Sequence, residues 1–130
     1  CTGVMIARGS FGQPWIFDQT RDLLDGREMR PAPPVRERFA IALEHARMAD
    51  DFELDPRGAA VEFRKHLGWY VKGLPGSADL RKKLYAVHSV NEVEAIFDDY
   101  LSQPYGTRRG EDEVAGTADY AAAAPIASAA

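Results

Sequence analysis

The chain has 130 residues, 45% of them apolar, and a formal net charge of −4, which bounds it to one ordinary domain with a modest core. A single cysteine excludes an internal disulfide framework and a cysteine-built zinc site and fits a reducing, cytoplasmic setting, and no apolar run approaches the roughly 20 residues that span a bilayer. The charge is uneven: residues 57–88 hold seven basic and two acidic groups, a net +5 inside an acidic chain, so a negatively charged partner for that segment is not excluded.

Val4, Met5, Ile6 and Ala7 form a continuous apolar run, the pattern of a short strand buried on both faces of a parallel sheet. Arg8 follows, and Gly9 and Gly12 bracket a turn in which Pro14 suits the first position of a new helix. A strand, a glycine turn bearing an arginine, and a helix start together can face a phosphate with backbone N–H groups and a guanidinium. The alternative is a structural turn with an exposed arginine. In a (β/α)8 barrel such a site lies after the last two strands, and a full barrel needs about 250 residues. The chain begins at Cys1 without a methionine and already within the expected strand. We therefore read residues 1–30 as the last strand and helix of a (β/α)8 TIM barrel, and the whole as the C-terminal piece of a longer protein.

The first helix spans Pro14 to Leu24 and ends at Asp25, with Gly26 beyond it as a left-handed stop. Pro31, Pro33 and Pro34 then mark a stiff boundary. Four amphipathic helices follow. The first, about 34–50, carries Val35, Phe39, Ala42, Leu43, Ala46 and Ala49 on one stripe. The second starts at Asp55 and Pro56, runs to about Val71 and turns Ala60, Phe63, Leu67 and Tyr70 inward. A Lys72-Gly73-Leu74-Pro75-Gly76 turn leads to a third, about 78–87, capped by Ser77; Ser89 or Asn91 caps a fourth, about 92–102, with Val93, Ile96, Phe97, Tyr100 and Leu101 in line. Short connections suit a small four-helix bundle over 31–105, making the chain mainly α. Residues 106–130, rich in alanine and glycine, have little to bury and are expected to be a disordered tail.

Two groups of residues are candidates for chemistry. One is the turn at Arg8. The other is the basic set Arg57, Arg64, Lys65 and Lys72 on the second of the four helices, extended by Arg81, Lys82 and Lys83 on the third. It is either a phosphate-gripping patch or a solvated face. His66 lacks clustered partners at ligand spacing and reads as a packing residue rather than a metal ligand. Trp69 could stack on bases or complete the core, and Tyr70 is assigned to the core. No catalytic constellation is visible.

The stretches Gly3-Val4-Met5-Ile6-Ala7-Arg8-Gly9, Gly12-Gln13-Pro14-Trp15-Ile16-Phe17, Arg64-Lys65-His66-Leu67-Gly68-Trp69-Tyr70 and the Lys72–Gly76 turn leading to Leu80-Arg81 resemble, in order and spacing, the C-terminal part of bacterial tRNA-dihydrouridine synthases. The family usually has glycine where this chain has Ala7. The resemblance implies an FMN-containing barrel followed by a helical domain that binds tRNA. The flavin, reduced by NADPH, in turn reduces the C5–C6 double bond of uridines. Within that frame, the strand–turn–helix context leads us to expect Ala7 and Arg8 at the FMN phosphate, and the local excess of positive charge leads us to expect the seven basic residues at the RNA backbone. The family's acid, a cysteine in an earlier barrel loop, is not in this chain, so the fragment alone is expected to be inactive. The competing reading is a phosphate-binding barrel end fused to a helical protein-interaction module; a non-functional truncation is a third.

Overall fold

The computed structural model describes residues 2–52 and 56–103, with backbone alone for 56–60. Its elements are a 3-10 turn at Arg8–Ser10 and five helices: α1 (Ile16–Leu24), α2 (Val35–Phe52), α3 (Pro56–Tyr70), α4 (Ser77–Tyr85) and α5 (Val90–Ser102). All five fall within two residues of the expected spans, but α1 begins at Ile16 after Trp15, so Pro14 precedes the helix instead of opening it. The Asp55 cap and the tail at 106–130 lie outside the described residues.

The strand expected at residues 4–7 is not formed, and the described residues contain no strand. An apolar run becomes a strand only when a neighbour takes up its N–H and C=O groups. No such neighbour is present among the described residues, and Val4 and Met5 are 57% and 92% exposed.

α2 packs against α3 and α5, and α4 closes the ring by packing against α3 and α5. The apolar stripes converge at the centre: Phe39, Ala42 and Ala46 meet Phe63, Leu67 and Tyr70, then Leu80 and Leu84, then Val93, Phe97 and Tyr100. The Phe39 and Phe97 rings stack at 4.1 Å, and Tyr100 meets the Phe39 ring edge-on at 5.6 Å. The Lys72–Gly76 turn is pinned rather than loose. Leu74 is buried, and the Tyr100 hydroxyl donates to the Pro75 carbonyl at 2.9 Å. Gly76, not Ser77, occupies the position before α4, so Ser77 is its first residue. Of the two caps considered for α5, Ser89 is the one used, its hydroxyl accepting from the Glu92 N–H at 3.3 Å.

α1 is organised differently. Its buried residues are polar, Gln19 and Asp22, while Phe17, Leu23 and Leu24 are more than half exposed. Asp22 accepts from Arg30 Nε at 2.7 Å and Nη2 at 2.9 Å, and Gln19 Nε2 donates to the Arg30 carbonyl at 3.0 Å. The proline segment is thus tied back onto α1. Gly26, at φ +70°, makes the reversal that brings Arg30 within reach.

Candidate phosphate turn and basic surface

The turn at residues 7–13 is closed by its own hydrogen bonds. Ser10 donates from its N–H and its hydroxyl to the Ala7 carbonyl, at 3.1 and 2.8 Å. Gln13 Nε2 reaches the Gly9 carbonyl at 2.9 Å. Arg8 is exposed and, among the described residues, makes no ion pair or side-chain hydrogen bond. A guanidinium with no partner among the described residues is able to take an anion through charge-assisted hydrogen bonds. The turn rests on α3. Phe11 stacks on Trp69 at 4.4 Å with 13° between planes. Gly12 has φ +72°, and a Cβ there would lie 2.5 Å from the Trp69 carbonyl carbon. Only glycine permits both the backbone conformation and this approach.

A second contact links this segment to the helices. Arg38, on α2, is nine-tenths buried, holds its guanidinium 5.5 Å from the Trp15 ring centroid and donates from Nη2 to the Lys72 carbonyl at 3.1 Å. Burial lowers its pKa, against the opposing pull of Tyr70 and Tyr100. The sequence held a signal for it: Arg38 lies three residues after Val35 and four before Ala42, on the apolar stripe itself. Nothing in the spacing of Asp22 and Arg30 announces their pairing, because it depends on the reversal at Gly26.

The basic residues separate into distinct environments. Arg64 is half-buried and donates from Nε and Nη2 to the Val87 carbonyl, the Nε contact at 2.8 Å, joining α3 to the connection between α4 and α5. Lys65 and Lys72 are exposed, and their side chains make no hydrogen bond or ion pair among the described residues. On α4, Arg81 Nε lies 3.4 Å from the Ser77 carbonyl, Lys82 lies 3.7 Å from Asp79, and Lys83 lies 3.3 Å from Asp99 of α5. Three consecutive helical residues cannot share one face, since each is rotated about 100° from the last. With Leu80 and Leu84 buried, Arg81, Lys82 and Lys83 fan across the solvent side of α4. The Arg57 side chain lies outside the described residues.

Beside Lys65, His66 stacks on Phe63 at 5.2 Å and meets the Trp69 ring edge-on at 5.2 Å. His45, on α2, lies 5.6 Å from it and places Nδ1 3.1 Å from the Tyr70 hydroxyl. Burial lowers the pKa of both histidines, and for His66 the nearby His45 and Lys65 lower it further. Burial pushes the Tyr70 hydroxyl up to about 12. These are packing residues, Tyr70 fully in the core and Trp69 at its margin against the turn. Among the described residues no group of three or more His, Cys, Asp or Glu is placed to hold a metal ion, and no helix is long and apolar enough to cross a membrane.

The chain matches the family model described as dihydrouridine synthase over residues 1–104. It is 38% identical over 96 residues to a protein of Rickettsia bellii named "Probable tRNA-dihydrouridine synthase", covering 74% of this chain and 28% of the relative. A Synechocystis protein named "Probable tRNA-dihydrouridine synthase 1" is 37% identical over 100 residues, with 77% and 28% covered. The "tRNA-dihydrouridine synthase B" of Proteus vulgaris is 32% identical over 102 residues, with 75% and 31% covered. The chain thus spans less than a third of the length of these relatives. No solved structure matches it.

Proposed function

This chain belongs to the dihydrouridine synthase family, and from that membership we propose that it acts as the C-terminal part of a flavin-dependent tRNA-dihydrouridine synthase. Residues 1–30 complete the FMN barrel in this reading, and residues 31–105 form a four-helix tRNA-binding domain. The single observation that carries it is geometric: an unpaired Arg8 sits on a turn pressed against α3, the helix that also presents the unpaired Lys65. The apolar surface of Val4, Met5, Phe17, Leu23 and Leu24 supports a barrel segment covering it.

The residues present suit the FMN phosphate: Arg8 supplies a free charge-assisted donor, and Ala7 a backbone position at the mouth of the turn. When bound, the flavin, reduced by NADPH, supplies the hydride that reduces the C5–C6 bond of uridine. This chain's share is grip and position. Arg8 holds one end of the cofactor. Lys65 and Lys72, with Arg57, Arg81, Lys82 and Lys83, neutralise phosphates of the tRNA. That grip helps offset the few kcal/mol of unstacking needed to bring a uridine out of folded RNA. Arg64, engaged with Val87, contributes chiefly by holding α3 against the α4–α5 connection.

The test is Arg8→Ala in the complete synthase. Loss of one charge-assisted contact, about 1.5–3 kcal/mol, should weaken FMN retention roughly 10- to 100-fold. FMN affinity equal to that of the unmodified enzyme refutes the phosphate assignment. The 130-residue chain alone should carry no stoichiometric flavin and reduce no uridine; a yellow fragment at one flavin per chain contradicts this.

A further inference from the structure

We propose that Trp69 is a positioning residue for the Arg8 turn, fixing the phosphate ligand from the helical side of the molecule. The inference rests on the reading of Arg8 as an FMN-phosphate ligand and extends it to a residue on α3. Phe11, three residues after Arg8, lays its ring on Trp69 at 4.4 Å and nearly parallel. The next residue, Gly12, brings its backbone so close to the Trp69 backbone that a Cβ would sit 2.5 Å from the carbonyl carbon and 2.6 Å from the carbonyl oxygen. Side chain and backbone of one residue therefore hold two successive residues of the turn. The bonds from Ser10 to the Ala7 carbonyl and from Gln13 to the Gly9 carbonyl make the turn move as a unit. A shift of Phe11 and Gly12 is then a shift of Arg8. His66 meets Trp69 edge-on at 5.2 Å and Phe11 at 6.1 Å, so the tryptophan ring is itself held in place. Bidentate or charge-assisted grip is sensitive to displacements of about 1 Å, so the docking surface sets the quality of the phosphate site without adding a ligand.

The experiment measures two quantities in Trp69→Ala, Trp69→Phe, Phe11→Ala, Gly12→Ala and Arg8→Ala. One is amide hydrogen exchange across residues 7–13 in the 130-residue chain. The other is FMN dissociation from the complete synthase. Trp69→Ala and Gly12→Ala should each speed exchange in 7–13 at least tenfold and speed FMN loss at least fivefold. Trp69→Phe keeps a stacking ring and should restore both to within about twofold. Arg8→Ala should speed FMN loss while leaving exchange in 7–13 unchanged. If Trp69→Ala also loosens α2 and α5, Phe11→Ala decides, because it removes the stacked ring from the exposed side and leaves both the helical core and the Gly12 backbone unchanged. Unchanged exchange in both Trp69→Ala and Gly12→Ala overturns the positioning role, whatever Arg8→Ala does. If Arg8→Ala alone leaves FMN in place, the phosphate reading fails instead, and the exchange data still report whether Trp69 holds the turn.

Discussion

Arg64 and Lys65 are neighbours in sequence and do different work. The Arg64 guanidinium is spent on the Val87 carbonyl, whereas Lys65 extends freely into solvent. Arg64→Ala should cost about 1.5–3 kcal/mol of stability through a lost charged hydrogen bond. Lys65→Ala should fall within about 0.5 kcal/mol of the unmodified chain. Urea unfolding of the two variants checks both. Asp22 provides a pH signature. Arg30, by side-chain hydrogen bonds above all, holds its carboxyl well below the usual carboxylate range against the opposing effect of burial. A carboxylate with a depressed folded pKa stabilises fully above its unfolded value, about 3.9, and loses that contribution as pH falls toward the folded value. Melting temperature should therefore drop below pH 4, and Asp22→Asn should start lower at pH 7 and show less of that acid loss. The histidines act higher on the scale. His45 and His66 are held below the ordinary imidazole value by burial, so folding is favoured while they are neutral. Stability should decline as pH falls below about 6.5. His66→Phe, beside Phe11, Phe63 and Trp69, should reduce the loss of thermal stability between pH 7 and pH 5, leaving the share that His45 contributes.

At the scale of elements, α2, α3 and α5 were legible because each buries a stripe that recurs with the helical period, whereas α1 was legible only from its boundaries. Phe39, Phe63 and Phe97 all lie on those stripes and all reach the core. Phe39→Ala should cost about 3–5 kcal/mol, measured by denaturant unfolding, since its ring touches both Phe97 and Tyr100. What periodicity cannot convey is who the neighbours are. The run Val4–Ala7 has the composition of a strand, but a ladder needs a second chain segment, and among the described residues none is there. The buried polar face of α1 was equally hidden, because Asp22 and Arg30 meet only after the chain reverses at Gly26. The Arg8 turn and the basic residues were visible as residue types and spacing. Their environments were not, since the capture of Arg64 by Val87 and the pairing of Lys83 with Asp99 depend on how helices pack.

For the molecule as a whole, exposed apolar side chains and free cations lie in different parts of the chain. The segment before α2 presents Val4, Met5, Phe17, Leu23 and Leu24 to solvent, the side chains that the proposed reading assigns to contact with a barrel. The helices after it enclose a complete core and place their free cations outward. RNA phosphate contacts are largely independent of sequence and release counterions, so their number is read directly from salt dependence. The most direct test of the account is therefore tRNA binding by the complete synthase and its Lys65→Ala, Lys72→Ala double variant, measured over a series of salt concentrations. The double variant should bind different tRNAs more weakly alike, with a salt slope smaller by about 1.4–1.8, the sum for two lost phosphate contacts, and with NADPH oxidation by an artificial acceptor unaffected. Unchanged affinity and an unchanged slope would contradict it, leaving the basic residues as a solvated face and favouring a protein rather than an RNA as the partner of the helices.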